Sequence, residues 1–104
     1  MYTIIELPTF TQDADELWSE QQRAEFCTWL VNNPDAGDVI PGASGCRKVR
    51  WSLSGTGKRG GVRVIYFNRL PEGLIYLLAI FAKSVQGDIP LATLRAIKDT
   101  INEN

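Results

Sequence analysis

The chain has 104 residues, 44% of them hydrophobic, which is enough for one packed core and too little for two ordinary domains. It carries 11 basic and 12 acidic residues, a formal net charge of -1, and no histidine. The missing imidazole excludes Ser-His-Asp and Cys-His nucleophile schemes and leaves any chemistry to Lys, Arg, Tyr, Asp, Glu or Ser.

Tyr2 to Leu7 is β-branched and aromatic, which predicts a short strand that Pro8 ends. This opening segment shows neither a basic leader nor a small-residue cleavage site, and no apolar run approaches ~18 residues. A soluble cytoplasmic protein without a membrane partner is therefore expected. One helix is predicted next, with Asp13 or Asp15 capping its start, Glu16 in its first turn, and an amphipathic run from Leu17 through Val31. Asn32-Asn33-Pro34 ends it. Cys27 and Cys46, the two cysteines, form no C-x-x-C pair, so they read as small buried thiols rather than zinc ligands or a disulfide. No metal or cofactor is expected.

After a loop with Pro34, Gly37, Pro41, Gly42 and Gly45, the segment Cys46 to Leu53 alternates as a half-buried strand. Val49, Trp51 and Leu53 share one face, and Lys48, Arg50 and Ser52 the other. Gly55 to Gly61 is a glycine-rich connector carrying Lys58 and Arg59, and it fits no triphosphate-binding motif. Val62 to Asn68 reads as a third strand with Arg63 near its start, and Pro71-Glu72-Gly73 as a turn. Leu74 to Ala82 is apolar on both faces, as a covered central strand is, and Lys83 emerges at its end. Leu91, Leu94, Ile97 and Ile101 mark a last helix, with Pro90 in its first turn and Asp88 a candidate cap. The order β-α-β-β-β-α predicts a single α+β domain over residues 1–104, with helices packed on an antiparallel meander.

Charge is sorted along this order. Residues 1–38 hold eight acids against Arg23 alone, whereas residues 39–71 hold seven bases and no acid: Arg47, Lys48, Arg50, Lys58, Arg59, Arg63 and Arg69. A belt of like charge repels itself unless a polyanion occupies it, so nucleic acid is the leading partner. A solvated face, or an acidic segment folded back across the belt, is the alternative.

Metal-free RNA cleavage needs a base for the ribose 2′-hydroxyl, cations for the developing phosphate charge, and a proton donor for the leaving 5′-oxygen. Lys48 is the candidate base, because crowding by like charge favours a neutral amine. Arg50 and Arg63, expected near facing positions of paired strands, are the candidate clamp, and Lys83 a further clamp or the proton donor. Arg47, Lys58 and Arg59 are expected to bind the nucleic acid backbone. Trp51 is expected in the core, and Tyr66 is the aromatic most suited to face a base.

The runs Gly37-Asp38-Val39-Ile40-Pro41-Gly42, Gly45-Cys46-Arg47-Lys48-Val49-Arg50-Trp51, Gly57-Lys58-Arg59-Gly60-Gly61-Val62-Arg63-Val64-Ile65-Tyr66 and Ile75 to Lys83 together resemble the RelE/ParE superfamily of type II toxin-antitoxin toxins, in particular its HigB-like branch. The resemblance spans nearly the whole chain. It implies a microbial-RNase-like fold and ribosome-dependent cleavage of messenger RNA in the ribosomal A site. It also implies a cognate antitoxin, often a helix-turn-helix protein, through whose complex operator DNA is reached. By position in the matched motifs the family's basic active-site residues fall on Lys48, Arg50, Arg63 and Lys83. Where RelE proper has an arginine after the last-strand lysine, and a tyrosine further on, this chain has Ser84 and Pro90. That departure leaves the proton-transfer roles open. It also suggests one alternative, a decayed member that only binds antitoxin or DNA, and the shared fold leaves a second, a ParE-like inhibitor of DNA gyrase.

Overall fold

A computed structural model describes residues 2–52, 61–82 and 89–102. The leading strand, β1 (Thr3–Glu6), runs into α1 (Pro8–Leu17) and α2 (Glu20–Asn32). Four strands follow, β2 (Asp38–Val39), β3 (Arg47–Trp51), β4 (Val62–Arg69) and β5 (Leu74–Ala82), and the described chain ends in α3 (Leu91–Asn102). A 3₁₀ turn at Leu70–Glu72 joins β4 to β5 and closes on Gly73, whose φ of 74° is open to glycine at little strain.

The single predicted N-terminal helix is two helices, which corrects the expected capping at Asp13 or Asp15. Pro8 opens α1 at a position where its missing N–H leaves nothing unpaired. The second start is set by Ser19: its hydroxyl accepts from the Gln22 N–H at 3.1 Å, and the Gln22 side chain accepts from the Ser19 N–H at 2.8 Å. This reciprocal capping box stops α1 at Leu17 and turns the chain. Two apolar faces, Phe10 with Ala14 and Phe26 with Leu30, then reach the same core from different directions.

The five strands form one sheet in the order β1-β5-β4-β3-β2. The β2 to β5 part is antiparallel, while β1 pairs parallel with β5, with Thr3 opposite Leu74 and Glu6 opposite Leu77. The sheet is thus mixed rather than wholly antiparallel, because the two N-terminal helices carry the chain back across the sheet before β2 begins. Both faces of the sheet are covered. On one, Val62, Val64, Tyr66, Ile75, Leu77 and Ile80 pack against Phe10, Ala14, Trp18, Phe26 and Leu30 of the first two helices. On the other, Ile65, Leu78 and Ala79 pack against Leu94 and Ile101 of α3 and against Ala43 and Cys46 of the loop before β3. β5 is apolar on both sides because it lies between these two cores, as its unbroken apolar run predicts.

Aromatic rings line the first core: Trp18 meets Phe26 at 5.4 Å between centroids, and Phe26 and Trp29 both meet Trp51, at 5.3 and 5.2 Å. Trp51 is half-buried there, on the face shared with Val49.

Candidate nucleic-acid interface

β3 and β4 pair with Arg50 directly opposite Arg63 and Lys48 directly opposite Ile65. Direct partners in an antiparallel pair project on the same side, and residues two apart on one strand do so as well. Lys48, Arg50 and Arg63 therefore share one sheet face, the face that α3 partly covers. Arg50 is exposed, and Lys48 and Arg63 are half-buried. Arg63 is also paired across to Phe81 of β5. Like charges set directly opposite each other on a sheet repel, and an anion seated between them removes that repulsion. The rung of two guanidiniums, with an ammonium one step along the strand, can clamp a phosphate through charge-assisted hydrogen bonds.

The acidic N-terminal segment is not folded across this cluster. Its acids lie on β1, on the two helices packed against the opposite face, and on the loop that follows them. Two of the acids are engaged there: Glu6 accepts from the Arg23 guanidinium and from the Thr11 hydroxyl, and Asp35 pairs with Arg47 at 3.6 Å. Asp38 is the exception. It occupies the short edge strand β2 opposite Lys48, and its side chain is exposed.

Two expected contributors lie elsewhere. Arg47 points away from the cluster: its guanidinium donates to the carbonyls of Gly37, at 2.8 Å, and Asp35, at 3.2 Å, and so ties β3 to the loop after α2. The reason is alternation, since Arg47 shares its side with Val49 and Trp51. Tyr66 is not a base-facing ring but a core residue with 0% exposure. Its hydroxyl donates to the Pro34 carbonyl at 2.8 Å and accepts from the Gly37 N–H at 2.9 Å, and burial raises its pKa above the ordinary phenol value. The signal that sequence reasoning missed is the loop around Pro34 and Gly37, whose buried polar groups need a partner. Lys58, Arg59, Lys83 and Ser84 lie outside the described residues, as do Leu53 and the candidate cap Asp88.

A cleft of about 300 Å³, which sequence reasoning missed, opens beside Lys48 between the sheet and the start of α3. Ile40, Ile65, Ile89, Pro90, Leu91 and Leu94 make the rest of its wall. The loop on its far side is held by α3: Arg95 donates to the Gly42 carbonyl and Lys98 to that of Ser44, at 2.8 and 2.6 Å. Lys98 also sits 4.3 Å above the Phe67 ring. Neither cysteine belongs to the cluster. Burial raises the pKa of both thiols, with Glu6 adding to the effect at Cys27, and both are free. Among the described residues no group of three or more Cys, Asp or Glu side chains is placed to hold a metal, and no helix is long and apolar enough to cross a membrane.

The same arrangement of strands and helices occurs in solved structures. A doubly substituted E. coli RelE toxin in the free state matches 93% of this chain and 96% of its own, with a TM-score of 0.61 and 13% sequence identity. The isolated E. coli RelE toxin matches over 96% and 99%, with a TM-score of 0.58 and 14% identity.

The chain has a RelE-like fold.

No family model matches the sequence. The likeness at this identity is one of architecture, and within the RelE-like fold the Arg50/Arg63 rung and Lys48 lie on the sheet face that α3 partly covers.

Proposed function

We propose that the protein is the toxin of a type II toxin-antitoxin system and cleaves messenger RNA on the translating ribosome, in the cytoplasm. The observation that carries this reading is the cross-strand pair Arg50/Arg63 with Lys48 on the same face of a RelE-like sheet, an arrangement that suits a polyanion. The HigB-like sequence motifs around Arg47-Lys48-Val49-Arg50 and Gly61-Val62-Arg63 add to it.

In the proposed reaction the ribose 2′-oxygen attacks the adjacent phosphorus as its proton passes to a basic group, for which Lys48 is the candidate. Arg50 and Arg63 hold the non-bridging oxygens, whose charge grows in the transition state. The bond to the 5′-oxygen breaks, and that oxygen takes a proton, for which Lys83 is the candidate donor. The products are a 2′,3′-cyclic phosphate and a free 5′-hydroxyl, so no water and no metal enters the balance. Arg47 is left out of the nucleic-acid contacts because it serves the loop, and Lys58 and Arg59 remain candidate backbone contacts. A cognate antitoxin, of the helix-turn-helix kind in the HigB-like branch, neutralises the protein, and operator DNA is met only through that complex.

Arg63→Ala tests the site. The variant is expected to lose growth arrest when expressed without antitoxin and to lose translation-dependent cleavage by about 100-fold, the loss typical of removing one transition-state donor. Full toxicity with full cleavage would remove Arg63 from the site. Loss of gyrase supercoiling in the presence of the protein, with no RNA cut, would replace the proposal by a ParE-like function.

A further inference from the structure

The cleft beside Lys48 is not accounted for by phosphate binding. Its wall is apolar, from Ile40 on the loop before β3, Ile65 on the sheet, and Ile89, Pro90, Leu91 and Leu94 at the start of α3. Its volume of about 300 Å³ is at the lower end for small-ligand pockets, roughly 300 to 1,000 Å³. Leu91 is 41% exposed, one of two large hydrophobic side chains so exposed among the described residues. The floor residue Ile65 is the direct partner of Lys48, and the Lys48/Ile65 rung is two residues along from Arg50/Arg63. Two residues of strand span about 7 Å, a step comparable to that from a nucleotide's phosphate to its own base.

We infer that this cleft is the specificity pocket of the cleavage site and takes one nucleobase of the RNA flanking the phosphate held at Arg50 and Arg63. The inference rests on the function proposed above and adds to it the residues that choose the sequence. Two features favour a base over a partner's helix. The cleft is a single pocket, whereas an amphipathic helix needs a row of anchors along a groove. It also opens beside cations that complement the phosphate to which a base is attached. Among the described residues Lys48 is the one charged group in the wall. Discrimination is therefore by ring area and shape rather than by a full hydrogen-bond pattern, and purines, with the larger apolar face, are preferred over pyrimidines.

The test compares cleavage of a translated mRNA library by the full-length protein, Leu91→Ala and Leu91→Trp, with thermal melts to establish that each is folded. In parallel, the four nucleoside 3′-monophosphates are titrated into the wild-type protein and followed by amide NMR. The wild type is expected to favour purine at one nucleotide next to the cut. Leu91→Trp, which fills the cleft, is expected to reduce that preference by at least about fivefold, a change on the scale of one base-stacking contact. The titration is expected to shift the Leu91 and Leu94 amides, more with purine nucleotides. Cutting by all three proteins with the same base distribution would overturn the inference and leave the proposed nuclease standing, as would be seen if the cleft holds an apolar side chain of a protein partner. If the wild type cuts nothing, the nuclease reading fails, and the titration decides the cleft: shifts at Leu91 and Leu94 retain a base pocket, and their absence removes it.

Discussion

At the scale of single residues, Tyr66 and Arg50 show how one position along a strand separates structure from chemistry. Tyr66 and Ile65 are neighbours in β4, yet one bridges the Pro34 and Gly37 backbone groups inside the first core and the other floors the cleft beside Lys48. Tyr66→Phe leaves the Gly37 N–H and part of the Pro34 carbonyl's bonding unsatisfied, although Asn68 also donates to Pro34 at 2.8 Å. The expected destabilisation is about 1–3 kcal/mol, read from urea unfolding, with the cation cluster left in place. Gly37→Ala is expected to be at least as damaging, since a Cβ there would lie 2.9 Å from the Tyr66 ring and hydroxyl and 3.0 Å from the Lys48 carbonyl. Arg50 is the opposite case. Its side chain is exposed, so Arg50→Ala is expected to move stability by less than about 0.5 kcal/mol while reducing cleavage about 100-fold, a separation that paired unfolding and cleavage assays detect.

At the scale of elements, alternation was legible where one face is charged and the other apolar. Lys48 and Arg50 against Val49 and Trp51 placed β3 and its polar side correctly, and the unbroken apolar run of β5 marked a strand buried twice. The break between the first two helices was not read, although Ser19 and Gln22 carry the capping-box spacing, because Leu17 to Val31 continues an apolar pattern through it. Ser19→Ala is expected to lower stability by about 1 kcal/mol and to fray the start of α2, seen as faster amide exchange at Glu20 to Arg23. The two-residue β2 was also not read, because pairing so short leaves no periodic signal. Its discovery places Asp38 beside Lys48. The cleft at α3 arises from packing between three separate segments, around residues 40, 65 and 91, and no local pattern encodes such a meeting.

For the molecule as a whole, part of the charge separation seen along the sequence becomes a separation in space: Lys48, Arg50 and Arg63 share one sheet face, while Arg47 lies on the other and pairs with Asp35. The acids of residues 1–38 lie mostly on and around the first core, and the basic strands keep one face toward α3. The strand order and the parallel pairing of β1 followed from how two helices return the chain, which the sequence of elements alone does not determine. Burial of proton donors also gives the whole fold a pH dependence. Cys27, Cys46 and Tyr66 have pKa values above the ordinary 9.0 for a thiol and 10.0 for a phenol, with burial the leading cause in each. The unfolded chain therefore releases these protons first as pH rises, so stability is fully present below about 9 and falls above it. Unfolding midpoints are expected to stay level from pH 8 to about 9 and to decline from there to pH 11, and a flat profile throughout would mean that these groups are wet in the fold.

The central claim, that the basic face of a RelE-like sheet cuts messenger RNA, is tested most directly by primer extension on an mRNA in a reconstituted translation reaction with and without the protein. The account predicts cuts within codons that appear only while ribosomes translate. Folded protein that produces no cuts, or cuts naked RNA equally well, would contradict it.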